Sequence, residues 1–315
     1  MQHFFKKRKN IFLTLFLSFS ILFVGYFYNL YSKVSRVEIN REEVTNFNFE
    51  KPKESEDVIL IALFGSDYSE YYETSSSDST MILAIDTKNN VIKLGSLMRD
   101  IYLDLPEGGK MNLNYTILEG GPSSILKTIN YNFKLDVDKF VQVDLERLPK
   151  IIDALGGVEI DVTSDEIGYL NSYIKSIDFK NGTTTEPVYS AGLQTLNGTQ
   201  AAAYCRIRYT EGRDFKRTER QRDVLNSLFV KFKDINLVEV PGLISEILPL
   251  VTTNLSNSEI ISYSTKALSM GLNNIEQGRF PSDANIITTE LTDMYHMIID
   301  LDSTTEELQN FLYSR

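Results

Sequence analysis

The run Val58-Ile59-Leu60-Ile61-Ala62-Leu63-Phe64 most constrains the fold. A strand with one wet face alternates apolar and polar residues, and this one does not. An unbroken apolar run of this length suits a strand covered on both faces. It ends in Gly65-Ser66-Asp67, and a polar loop of Ser, Glu and Tyr follows. Ser77-Asp78-Ser79 leads into a second strand, Met81 to Ile85. Thr87-Lys88-Asn89-Asn90 is turn chemistry, and Val91 to Leu97 returns as a hairpin partner that delivers Arg99-Asp100.

Elements then alternate. Pro122 and Ser123 open a helix carrying Ile125, Leu126 and Ile129. Phe140 to Leu145 reads as a strand, Arg147 to Leu155 as a helix stopped by Gly156-Gly157, and Val158 to Val162 as another strand. The pattern predicts an α/β fold: a central mixed β-sheet sandwiched by helices. Thr163 to Ser190 reads as a polar, irregular loop. Residues 222 to 272 read as helical, broken at Pro241 and Pro249, and 275 to 288 as further strand pairing near Pro281. Ser303-Thr304-Thr305-Glu306 has the form of a capping box for a last helix through Phe311.

The N-terminus predicts one transmembrane helix ahead of this domain. Ile11 to Ser32 carries no charge, and about 20 helical residues at about 1.5 Å each span a hydrocarbon core of about 30 Å. Lys6, Lys7, Arg8 and Lys9 place the N-terminus inside. A cleaved signal peptide would end in a small-residue site. Here Tyr26, Phe27, Tyr28 and Tyr31 crowd the far end, which favours an uncleaved anchor. The division expected is a cytoplasmic tail (1–10), a transmembrane helix (11–32), an extracytoplasmic stalk (33–56) and a globular domain (57–315). That domain comprises a motif core to 235 and a helical remainder from 236. The localisation implied is a single-pass cell-membrane protein facing outward.

One stretch concentrates positive charge. Arg206, Arg208, Arg213, Arg217, Arg220 and Arg222 fall within seventeen residues of a chain whose net charge is -11. Guanidinium forks bind carboxylate or phosphate oxygens bidentately and do not lose their proton, so the cluster implies a multiply charged anion. Asn197 and Gln200 form a capping box for a helix over Ala201-Ala202-Ala203. An extended segment beyond it would aim Arg206 and Arg208 the same way. A second helix opening near Asp214 makes Arg217, Arg220 and Gln221 neighbours and lines up Leu225, Leu228, Phe229 and Phe232 as an apolar stripe.

Asp67 and Asp78 sit at the end of one strand and just before the next, an arrangement suited to a hard cation such as magnesium. Magnesium with arginine is recurring apparatus of phosphoryl transfer. Arg99 and Lys110 could join the same rim. The lone Cys205 excludes an internal disulfide and reads as a buried small hydrophobe. With His296 the only histidine beyond the N-terminal tail, a Ser-His-Asp triad or a His-rich zinc site is disfavoured. The acidic balance argues against nucleic acid.

Taken in order, Gly65-Ser66-Asp67, Ser77-Asp78-Ser79, Met98-Arg99-Asp100, Lys110-Met111-Asn112, Asp153-Ala154-Leu155-Gly156-Gly157-Val158, Gly192-Leu193-Gln194, Leu196-Asn197-Gly198, Phe215-Lys216-Arg217 and Arg220-Gln221 carry a family resemblance. The chain resembles the LytR-CpsA-Psr family of membrane-anchored wall-polymer transferases from about Asp57 to Leu228, and more loosely to its C-terminus. The resemblance implies a phosphotransferase that moves a glycopolymer, of teichoic acid or capsule type, from a polyprenyl pyrophosphate carrier onto peptidoglycan through a phosphodiester. It implies that Asp67 and Asp78 hold Mg2+ and, with Arg99, form the catalytic set. Arg99, Lys110, Arg206, Arg208, Arg217 and Gln221 would grip the pyrophosphate, and the lipid would lie in an apolar tunnel between sheet and helices.

Two positions depart from the family pattern. Arg commonly stands two residues before the second Asp, where this chain has Ser76, and Pro commonly stands where it has Met98. Two alternatives stay open: a polyprenyl-pyrophosphate pyrophosphatase, with water in place of the sugar hydroxyl in the same site, and a non-catalytic receptor for lipid-linked polymer, which the missing cation keeps in play.

Overall fold

The Val58 run forms a strand at the heart of a mixed sheet. The computed structural model of the chain describes residues 34–49, 52, 57–69, 74–209, 213–233, 240–270, 275–291 and 295–313. The sheet's strands in chain order are β1 (Ser35–Arg36), β2 (Val58–Ser69), β3 (Thr74–Asp86), β4 (Val91–Leu97), β5 (Phe140–Asp144), β6 (Val251–Thr253) and β7 (Ile275–Phe280). Across the sheet they run β1-β6-β5-β2-β3-β4-β7. β2 lies antiparallel to β3 and parallel to β5, and the outer pairs β1/β6 and β4/β7 are parallel, so the sheet is mixed as expected.

Both faces are apolar because the strand period of two sends alternate residues to opposite sides. Leu60, Ala62, Phe64, Ile82 and Ala84 meet helices α2 (Pro122–Phe133) and α8 (Leu301–Tyr313) on one face. Ile61, Met81, Leu83 and Ile85 point to the other, where α6 (Arg213–Lys233) and α7 (Asn257–Ser269) supply Leu225, Phe229, Tyr263 and Ala267. A third cluster joins an antiparallel strand pair (Val158–Val162 with Gly192–Leu196) to helices α4 (Ser164–Asn181) and α5 (Gly198–Tyr204). It is braced by α3 (Leu148–Ala154), where Asp153 Oδ1 accepts from the Gly198 amide at 2.7 Å. A Cβ on Gly198 would lie 2.0 Å from the Pro149 carbonyl oxygen, so the two helices can touch only through glycine.

Several sequence expectations are corrected here. Residues 34–49 do not stand off as a stalk: β1 pairs with β6, and Val44 of α1 (Arg41–Thr45) is fully buried against α2. The loop expected over Thr163 to Ser190 is mostly α4, capped by Thr163 and Glu166. Its buried residues Glu166, Leu170, Ile174 and Ile177 fall at helical spacing, but the stripe is narrow and the remaining positions are polar. The part after 236 is not simply helical, since β6 and β7 complete the central sheet. The last helix starts at Leu301, capped by Asp300, which accepts from the Ser303 amide at 3.1 Å and from its hydroxyl at 2.8 Å. Among the described residues no helix is long and apolar enough to cross a membrane, and Ile11 to Ser32 lies outside them.

Candidate phosphate and lipid site

β2 and β3 run on past the expected strand ends, to Ser69 and from Thr74, so Asp67 and Asp78 both lie within one long hairpin. The register shifts between them: Gly65 pairs with Ser79 and Ser66 with Ser77, leaving Asp78 as the extra residue of a bulge. A bulge re-aims a side chain out of the strand alternation, and such irregularities recur beside functional sites. Gly65 permits it, since a Cβ there would come 3.0 Å from the Ser79 Cβ. Asp67 pairs through its backbone with Ser76; its side chain lies outside the described part.

Three arginines close on Asp78. Arg99 Nη1 donates to Oδ1 at 2.8 Å, Arg208 Nη2 donates to Oδ2 at 3.1 Å, and Arg217 Nη1 lies 3.6 Å from Oδ2. Arg217 Nη2 also donates to the Asp78 carbonyl at 3.4 Å. Burial pushes the Asp78 carboxyl up, but Arg99, Arg217 and Arg208 together outweigh it and hold the group below the usual carboxylate range. The cationic shell therefore forms without an arginine at position 76. Met98 is buried, and its sulfur accepts from the Thr218 hydroxyl at 3.6 Å, tying α6 to the end of β4.

The segment after α5 is a turn, not the expected extension. The amides of Arg206 and Ile207 still bond back to Ala203 and Tyr204, at 3.1 and 3.3 Å. Ile207 is fully buried and the flanking arginines half-buried, so Arg206 and Arg208 still share an outward sense. Arg220 belongs to the scaffold: it pairs with Glu166 at 2.7 Å and donates to the Ile207 carbonyl at 3.1 Å. Lys110 lies on a separate hairpin and pairs with Asp104 at 3.2 Å. Asn112 of that hairpin binds the Tyr295 carbonyl, and its Oδ1 lies 2.7 Å from His296 Nδ1.

Between the sheet and helices α6 and α7 lies an apolar cavity of about 440 Å³. Leu63, Met81 and Leu83 of the sheet face Val224, Leu225 and Phe229 across it. Its wall includes Ser79, next to Asp78; Cys205, next to Arg206; and Gln221, one turn of α6 from Arg217. The cavity wall thus reaches the residues that flank the arginine cluster. Burial pushes the Cys205 thiol up to about 12, so it is neutral and unreactive, a small apolar wall residue as expected.

Sequence reasoning missed Glu166 as the partner that takes Arg220, and also Tyr169, Tyr173 and Tyr209, which gather beside the arginines. Thr163 and Glu166 at capping-box spacing were the available signal.

The comparisons agree on kinship. The LytR_cpsA_psr family profile matches residues 22–310. The chain is 27% identical over 291 residues to regulatory protein MsrR of Staphylococcus aureus, covering 91% of this chain and 79% of that one. It is 29% identical over 264 residues to polyisoprenyl-teichoic acid–peptidoglycan teichoic acid transferase TagU of Enterococcus faecalis, covering 79% of each. Its fold matches YwtF (TagT) solved with bound octaprenyl pyrophosphate, at a TM-score of 0.63 and 23% identity over 88% of this chain and 99% of that one. The chain belongs to the LytR_cpsA_psr family.

Proposed function

We propose that this protein transfers a glycopolymer from a polyprenyl pyrophosphate carrier to peptidoglycan. The observation that carries the reading is the continuity of the apolar cavity with the arginine cluster. A long prenyl chain needs dry surface and a pyrophosphate diester needs fixed cations, and here one leads into the other. The name of TagU describes this transfer for that relative.

In the reaction an acceptor sugar hydroxyl attacks the phosphorus that bears the glycopolymer. A new P–O bond forms, the bond to the bridging pyrophosphate oxygen breaks, and polyprenyl phosphate leaves with that electron pair while the hydroxyl's proton passes to solvent. Arg99, Arg208 and Arg217 would neutralise charge on the leaving phosphate, with Arg206 and Gln221 beside them. Positioning and electrostatics supply most of the catalysis in such a transfer.

Magnesium suits Asp78, the proposed ligand whose side chain is described. Asp78 is buried and ionised, and Mg2+ is usually held by one or two carboxylates together with substrate phosphates. Asp67 and Asp78 would hold it, and its charge would offset that of the pyrophosphate oxygens. Ile11 to Ser32 would anchor the chain with the domain outside, an assignment supported by the charges at Lys6 to Lys9.

The test is incubation of the full chain in detergent with a defined lipid-linked polymer and peptidoglycan fragments, with and without chelator. Polymer joined to peptidoglycan, with polyprenyl phosphate released, is expected. Carrier hydrolysis without joining would make it a pyrophosphatase. Tight binding without turnover would make it a receptor, the reading that the word "regulatory" in the MsrR name keeps in view.

A further inference from the structure

We propose that Tyr209 and Tyr169 form a stacking platform for the first sugar of the lipid-linked donor, the one bonded directly to the pyrophosphate. The proposal rests on the transfer reading above and names a contact that this reading does not include.

The order of residues along one short segment carries it. Cys205 lines the lipid cavity, Arg208 touches Asp78, and Tyr209 follows in the open, 70% exposed. A donor whose prenyl chain enters the cavity and whose phosphates lie along the arginines must send its sugar out on the side away from the cavity. Tyr209, exposed, outside the cavity wall and one residue past Arg208, is placed to meet it. Its ring lies 6.1 Å from that of Tyr169, tilted by 32°.

Helix α4 presents the second half of the platform. Glu166, Tyr169 and Tyr173 share one face at three- and four-residue spacing. The Glu166–Arg220 ion pair turns that face toward the arginine segment. Tyr173 sits within electrostatic reach of Tyr209, Arg208, Arg217 and Arg206, so the aromatic group adjoins the phosphate site.

The chemistry matches a pyranose. One face of such a ring is a patch of C–H bonds while its edges carry hydroxyls. Tyrosine offers an apolar ring face with a polar handle at one end. Two exposed tyrosines beside a phosphate site have little to gain from a bare pyrophosphate, which the arginines already satisfy.

The experiment compares binding of two probes to the full chain in detergent: sugar-free polyprenyl pyrophosphate, and polyprenyl pyrophosphate bearing one N-acetylhexosamine. Tyr209→Ala and Tyr169→Ala should each weaken the sugar-bearing probe about tenfold and leave the sugar-free one within about twofold. Tyr209→Phe should retain affinity, because stacking needs the ring. Phe179→Ala, on the same helix and 93% exposed, should change neither. Equal loss on both probes, or loss on neither, overturns the platform. If wild type binds neither probe, the transfer reading itself has failed.

Discussion

Arg220 Nε and Glu166 Oε1 meet at 2.7 Å with both side chains almost wholly buried. The pair links α6 to the first turn of α4, and Arg220 also holds the Ile207 carbonyl between Arg206 and Arg208. Glu166 closes the α4 capping box through its other oxygen. Breaking one partner of a buried pair leaves an uncompensated charge, at a cost of about 3–5 kcal/mol. Glu166→Ala and Arg220→Met should each lower the melting temperature strongly, and the double variant should recover part of the loss. Additive losses in a thermal double-mutant cycle would count against coupling.

Asp78 gives a pH signature. Its carboxyl titrates below the ordinary value of about 3.9, so its charge contributes stability above that pH and loses it as pH falls through the lower folded value. Asp78→Asn should therefore melt below wild type at pH 7, with the gap closing under about pH 4. A gap that stays constant down to pH 3 would show that the three arginines do not stabilise the charge.

These two acids show what the sequence could reveal and what it could not. The apolar run at Val58, the hairpin to Val91 and the capping box at Asn197 are local patterns, and each became the element expected. The arginine cluster was legible because guanidinium density is itself unusual in an acidic chain. The bulge at Asp78 was not, since it exists only in the register of two strands. Nor was Arg220 separable from Arg217: both lie on one helix, and only tertiary contact assigns one to Glu166 and the other to Asp78. Strand β6 was hidden for a related reason: it is short, and its partners lie far off in sequence. Strand β7 falls inside the pairing expected over 275 to 288, but its partner β4, far back in the chain, was not legible.

The cavity should accept a prenyl chain and nothing charged. Ala267 lines it from α7, facing the sheet residues Leu83 and Ile85. A tryptophan there would occupy space that is already open, so the fold need not expand. Ala267→Trp should weaken octaprenyl pyrophosphate binding by about tenfold or more while leaving inorganic pyrophosphate affinity and melting temperature nearly unchanged. Parallel loss of both ligands would place the lipid elsewhere.

The arginines invite a test that separates geometry from charge. Arg217 is almost wholly buried and offers two different nitrogens to Asp78, one toward the carboxylate and one to the backbone carbonyl. Arg99 and Arg208 take one carboxylate oxygen each. A planar fork can hold such a partner and a phosphate oxygen together, which the point charge of lysine cannot. Lysine at 217, 208 or 206 should cost about 1.5–3 kcal/mol, roughly tenfold or more, in transfer rate or donor affinity. Arg222 makes the internal comparison: it sits on the same helix, half-buried, but donates to the Gly278 carbonyl at 3.4 Å. Arg222→Lys should leave transfer close to wild type. Rates and donor affinities for the four single variants decide it. If all four fall together, the site reads only net positive charge, and the forked pyrophosphate cradle is refuted.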